Sequence, residues 1–69
     1  MGDFFVSDQT GQQDGGVCFT VQGDGGTVLV DQAPDGRLAG VRPLGWIGDQ
    51  EQAVNGAVRA VRRVTDLLS

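Results

Sequence analysis

Histidine and lysine are absent from this 69-residue chain, and cysteine occurs once, as Cys18. Each absence excludes a class of chemistry. A lone cysteine makes no intramolecular disulfide, and without histidine or paired cysteines there is no transition-metal motif. A cysteine nucleophile needs a base or a cationic neighbour to lower its pKa, and neither histidine nor lysine is present to supply one. Cys18 is therefore expected to be a sheet-face residue. Long hydrophobic runs are missing too: no apolar stretch approaches the roughly 20 residues of a membrane span. The N-terminus lacks a basic start followed by an apolar core, so no signal peptide is expected. With the unpaired thiol, this leads to the expectation of a cytoplasmic protein.

A domain of this size buries only about 60% of its unfolded surface and normally needs a staple. Disulfide and metal being excluded, good packing or a partner remains. The net charge is −4, from nine acidic residues and five arginines. The acids form no run and read as solvated surface. A basic footprint for non-specific nucleic-acid binding is missing, and the acidic balance suits a basic protein target by electrostatic steering.

What is present is patterned. "GVCFTVQ" alternates Val17, Phe19 and Val21 with Cys18, Thr20 and Gln22, as a strand does. "GDGG" at 23–26 is a hairpin turn. "TVLVDQ" reads as a second strand, its Val28-Leu29-Val30 run suiting burial on both faces or a central position. "APDG" at 33–36 is a type I turn with Pro34 at its second position. "RLAGVR" reads as a third strand, with Gly40 marking a bulge or a close backbone approach. Pro43 and Gly45 then stop the strand.

Asp49 is a good N-cap for a helix from Gln50 to Leu68, with Gln52 placed to complete a capping box. Val54, Ala57, Val58, Val61, Val64 and Leu68 fall on one stripe, widened by Ala53, Ala60 and Leu67. Gly56 within it costs about 1 kcal/mol relative to alanine. Upstream, Phe4, Phe5 and Val6 form a short apolar patch, an edge strand at 3–7 or an arm docking on a neighbour. The Gly/Gln/Asp-rich stretch after it reads as a loop, so that 1–16 is an arm and 17–69 a single β-β-β-α domain.

The fold class expected is α+β: an antiparallel meander of three strands, or four with the N-terminal patch, and one C-terminal helix on one face. The expected core is Val17, Phe19, Val21, Leu29, Leu38, Ile47, Val54, Val58, Val61 and Leu68.

No constellation carries catalysis. Asp31 and Asp35 flank a turn whose chemistry explains both. Asp24, Asp31 and Asp35 do not have the spacing of a calcium loop, and the glycine-rich segments lack a phosphate-binding pattern. No catalytic residue, cofactor or metal is expected. The candidate binding residues are Trp46, Arg59, Arg62, Arg63, Phe4 and Phe5. Trp46 is a core plug at the strand-helix junction or an exposed interface anchor. The arginines are a solvated helix face or an anchor for an acidic partner or nucleic acid.

Two families share parts of this pattern. "GWIGDQEQAVNGAVRAVRRVTDLL", through Gly45, Gly48, Asp49 and Ala53, resembles the strand-helix junction of the HicB-like antitoxins, whose β-β-β-α core is a partial ribonuclease H fold. The proline-glycine motif of that family's second strand is missing here. "VDQAPDGRLAGVRPL", through Asp31, Asp35, Gly36, Arg37, Leu38, Gly40 and Val41, is similar to an uncharacterised bacterial family of small β proteins with the signature D-x-D-G-R-L-V-G-I-E-I-L, although its upstream Tyr-Asp-Pro segment is absent. Neither resemblance implies catalytic residues. The first implies binding to another protein and dimerisation through sheet edges.

The functional expectation is thus a non-enzymatic protein-protein interaction module, antitoxin-like or inhibitor-like, with self-association as a further mode. The alternative is a structural or accessory subunit of a larger assembly, such as a small phage virion protein.

Overall fold

A computed structural model describes residues 3–68, with side chains from 3 to 67. Four strands precede one helix: β1 (Phe5–Gly11), β2 (Val17–Gly23), β3 (Gly26–Gln32), β4 (Leu38–Leu44) and α1 (Gln50–Leu68). The strands pair in chain order as an open antiparallel meander. The four-stranded form of the expected α+β fold is therefore the one adopted. The strand at the N-terminus runs beyond the apolar patch: Asp8 to Gly11, a loop by composition, pair with β2 beyond a bulge at Ser7. Pairing with β2 overrides their weak strand propensity.

The turns follow their residues. Asp24 and Gly25 join β2 to β3 inside the closing Gly23–Gly26 pair. The Gly36 amide donates to the Ala33 carbonyl at 2.9 Å, and Gly36 takes φ of 93°. This is the type I turn with a following left-handed residue that glycine supplies at no steric cost. The Asp35 carboxylate accepts from the Arg37 amide at 3.0 Å, tightening the same turn. The register shift opposite Asp31–Gln32 falls beside Gly40, as its place in the sequence suggests.

The Asp49 carboxylate accepts from the Glu51 amide at 2.9 Å, an N-cap bond. Gln52 does not close a capping box; it turns to line a groove described below.

The core lies between α1 and one sheet face: Phe19, Val21, Val28, Val30, Ala53, Ala57, Ala60 and Val61. The register explains the sheet's share, because Val21 sits opposite Val28 and Phe19 opposite Val30. Leu29, expected in the core, consequently points to the other face, opposite Thr20 and Arg42. Val28 and Val30 take the place expected for it, and β3 is central, between β2 and β4. On α1 the buried stripe is the alanine one. Ala53, Ala57 and Ala60 are buried, while Val54 and Val58 are half-buried on the flank. Small residues let the helix axis approach the sheet, and that gain outweighs the greater apolarity of valine. Val17 and Leu38 pack at the periphery of the core. Ile47 is 84% exposed and is not a core residue. The expectation for Leu68 falls outside the described side chains.

Candidate functional site: an apolar corner and a helix-flank groove

The sequence around the β4–α1 junction is short of side-chain bulk except at Trp46. The structure shows where that ring goes. Trp46 stacks on Phe4 with ring centroids 5.5 Å apart and planes inclined by 10°. Three glycines make room for the pair. A Cβ at Gly23 would meet Phe4 Cε2 and Trp46 Cη2, both at 2.7 Å. One at Gly25 would meet the Ile47 carbonyl at 2.5 Å and Trp46 Cε2 at 2.7 Å. One at Gly56 would overlap the Phe4 ring, with Cζ at 2.6 Å. The aromatic pair is thus sandwiched between the β2–β3 turn and the second turn of α1.

Gly56 therefore has a role that its helix propensity hides. Gly56→Ala, normally a gain of about 1 kcal/mol in a helix interior, is expected to lose about 1–2 kcal/mol here because Phe4 must leave its seat. In a Phe4→Ala background the same substitution is expected to stabilise. Urea denaturation of the four proteins of this cycle checks the reversal of sign.

Three of the four exposed bulky apolar side chains among the described residues lie at this end of the fold. Phe5 is 60% exposed, Leu44 50% and Ile47 84%. Phe5 and Leu44 end one cross-sheet row, Phe5–Gln22–Thr27–Leu44, on the face that α1 leaves uncovered. Within it Thr27 Oγ1 donates to Gln22 Oε1 at 3.0 Å, and Gln22 Nε2 donates to Ser7 Oγ at 3.3 Å. The Ile47 amide donates to the Gly25 carbonyl at 2.9 Å, which fixes its backbone at the tip of the corner.

From the corner a groove follows the flank of α1. Near the helix start an open cavity of about 260 Å³ is bounded by Asp24, Trp46, Ile47, Asp49 and Gln52. Beyond Phe4, an open cavity of about 640 Å³ is bounded by Asn55, Gly56, Arg59 and Arg63, with Asp3 across it. Phe4 and Gln52 border both. Helical geometry explains the lining: residues 52, 55, 56, 59 and 63 recur at three- and four-residue spacing along one flank. Among the described residues no ion pair engages Arg59, Arg62 or Arg63, whereas Arg37 lies 3.7 Å from Asp35.

The candidate residues read from sequence thus divide. Phe4, Trp46, Arg59 and Arg63 come together along one groove. Phe5 points to the uncovered sheet face, and Arg62 projects from α1 outside the groove lining. The glycine seats, Gln52, Asn55 and the exposure of Ile47 were missed. Phe-aromatic packing against a glycine at mid-helix leaves no periodic trace.

The uncovered sheet face offers different chemistry. Burial pushes the Cys18 thiol above its ordinary pKa, and the carboxylate of Asp31, its cross-strand neighbour, adds to the rise by hydrogen bonding and by charge. Arg42 opposes this and Asp8 reinforces it, consistent with all four side chains sharing the face. The shift runs against nucleophilic activation, which requires a lowered value. Among the described residues no group of three or more Cys, Asp or Glu side chains is placed to hold a metal ion. None of the described helices is long and apolar enough to cross a membrane. Comparison with protein-family models, curated proteins and solved structures gives no match for this chain.

Proposed function

We propose that this chain is a non-catalytic protein-binding module, of the inhibitor or antitoxin kind, that engages its partner through the apolar corner. The observation that carries the reading is that Phe5, Leu44 and Ile47, all at least half exposed, lie at the same end of the fold as the half-buried Trp46. Bulky apolar side chains exposed at one end of a fold, beside a partly buried aromatic, mark contact surfaces more often than solvated ones. Burying them supplies stability that a domain of this size otherwise lacks. The corner holds no nucleophile, no paired acid and base and no metal ligand set, so its chemistry is that of contact.

The test is affinity capture from the source cell with mass spectrometry, using the native chain and its Ile47→Asp and Leu44→Asp variants. Both sites are exposed, so the variants are expected to keep the native circular dichroism spectrum. A stoichiometric partner retained by the native chain and lost by the variants supports the reading. Equal retention by all three overturns it. A concentration-dependent mass in light scattering, abolished by the same substitutions, would identify the occupant of the corner as a second copy.

A further inference from the structure

The groove beside α1 is chemically polarised, and this polarity narrows what it takes. At its start are an aromatic ring, Ile47 and two carboxylates, Asp24 and Asp49. At its far end are two guanidiniums, Arg59 and Arg63, with the carboxamide of Asn55 beside them and a single carboxylate, Asp3, so that the balance there is cationic. The distance along the helix from Asp49 to Arg63 is about 21 Å at 1.5 Å per residue. That is the reach of six or seven extended residues at about 3.3 Å each. Arg59 and Arg63 are one turn apart, about 6 Å. Alternate residues of an extended segment, which point the same way, repeat at about 6.6 Å. Two carboxylates at alternate positions therefore match two guanidiniums one helical turn apart, and the planar fork of arginine suits carboxylates.

From these features we infer that the groove binds an extended acidic segment of the partner protein, with an apolar side chain against Trp46 and Ile47 and two carboxylates on Arg59 and Arg63. The inference rests on the protein-binding reading above and names the partner's chemistry. Asp24 and Asp49 set the direction of the segment, since its acids are repelled from their end. The same two carboxylates disfavour a nucleic-acid strand, whose phosphates would run the full length of the groove and meet them. The net charge of −4 does not oppose the assignment. Contact is governed by the nearby arginines, because more distant charges are screened beyond about 8–10 Å at physiological salt.

The test uses the full chain and three probes: a synthetic peptide with leucine at its first position and glutamate at its fifth and seventh, the same peptide with lysine for both glutamates, and a single-stranded oligonucleotide of similar length. Trp46, the only tryptophan, reports occupancy through its fluorescence. The glutamate peptide is expected to shift Trp46 emission and bind at least tenfold more tightly than the lysine peptide. Arg59→Glu with Arg63→Glu is expected to reverse that order. Binding of neither peptide, equal binding of both, or tighter binding of the oligonucleotide overturns the inference. A partner whose capture depends on Ile47 but survives the double charge reversal overturns it too, while leaving the protein-binding reading intact.

Discussion

Phe19→Ala is expected to remove most of the stability of this protein, about 3–5 kcal/mol, the range for truncating a buried aromatic ring. A 69-residue domain has about 3–10 kcal/mol in all. The expected result is a chain partly or wholly unfolded at 37 °C. Phe19 is 2% exposed at the centre of β2, and the other buried members of the core are valines and alanines. No other aromatic is among them. Short side chains cannot lean into the vacated space, so the cavity term is paid nearly in full. Urea unfolding followed by circular dichroism measures it. A loss under about 1 kcal/mol would mean that the core is not organised around this ring.

The same short core explains which parts of the fold were legible. Local chemistry was readable wherever one residue type satisfies one geometric need. Asp49 caps α1, Pro34 and Gly36 form the β3–β4 turn, and Val17, Phe19 and Val21 alternate inward. Matters decided by packing between elements were not. The rotation of α1 depends on how closely its axis approaches the sheet, which favours Ala53 and Ala57 over Val54 and Val58. The placement of Leu29 depends on register, since every residue of the Val28-Leu29-Val30 run is apolar and either face was open to it. The polar half of β1 carries no hydrophobic signal at all, and β2 supplies its pairing.

The candidate site was legible by residue type and not by position. Aromatic and arginine side chains were singled out because such residues dominate contact surfaces. Phe4 and Phe5 are adjacent and chemically identical, yet strand alternation sends one to Trp46 and the other to the uncovered face. Arg62 and Arg63 separate in the same way around the helix. The groove itself depends on Gly56 accepting the Phe4 ring, a contact between segments more than fifty residues apart in sequence. No short-range pattern encodes such a contact.

Trp46→Ala is expected to cost about 2–4 kcal/mol of folding stability. The ring is partly buried and packs against the core, so removing it forfeits most of a tryptophan's burial. It also forfeits the stack on Phe4, worth about 0.5–1.5 kcal/mol beyond area. The glycines at 23 and 25 worsen the loss, because they have no side chains with which to close the gap. The ring therefore packs as a core plug at the strand-helix junction, stacked on Phe4 and beside the exposed Ile47. A cycle of Trp46→Ala, Phe4→Ala and both separates the terms. The double variant is expected to lose less than the sum of the singles by about the stacking energy. Strict additivity would show that the rings act independently. At 84% exposure Ile47 contributes little to folding, so Ile47→Asp tests binding where Trp46→Ala cannot. Binding at any site stabilises the native chain and the variant alike. A captured partner that raises the melting temperature of Trp46→Ala by more than that of the native chain would therefore show that it closes the corner the missing ring leaves open.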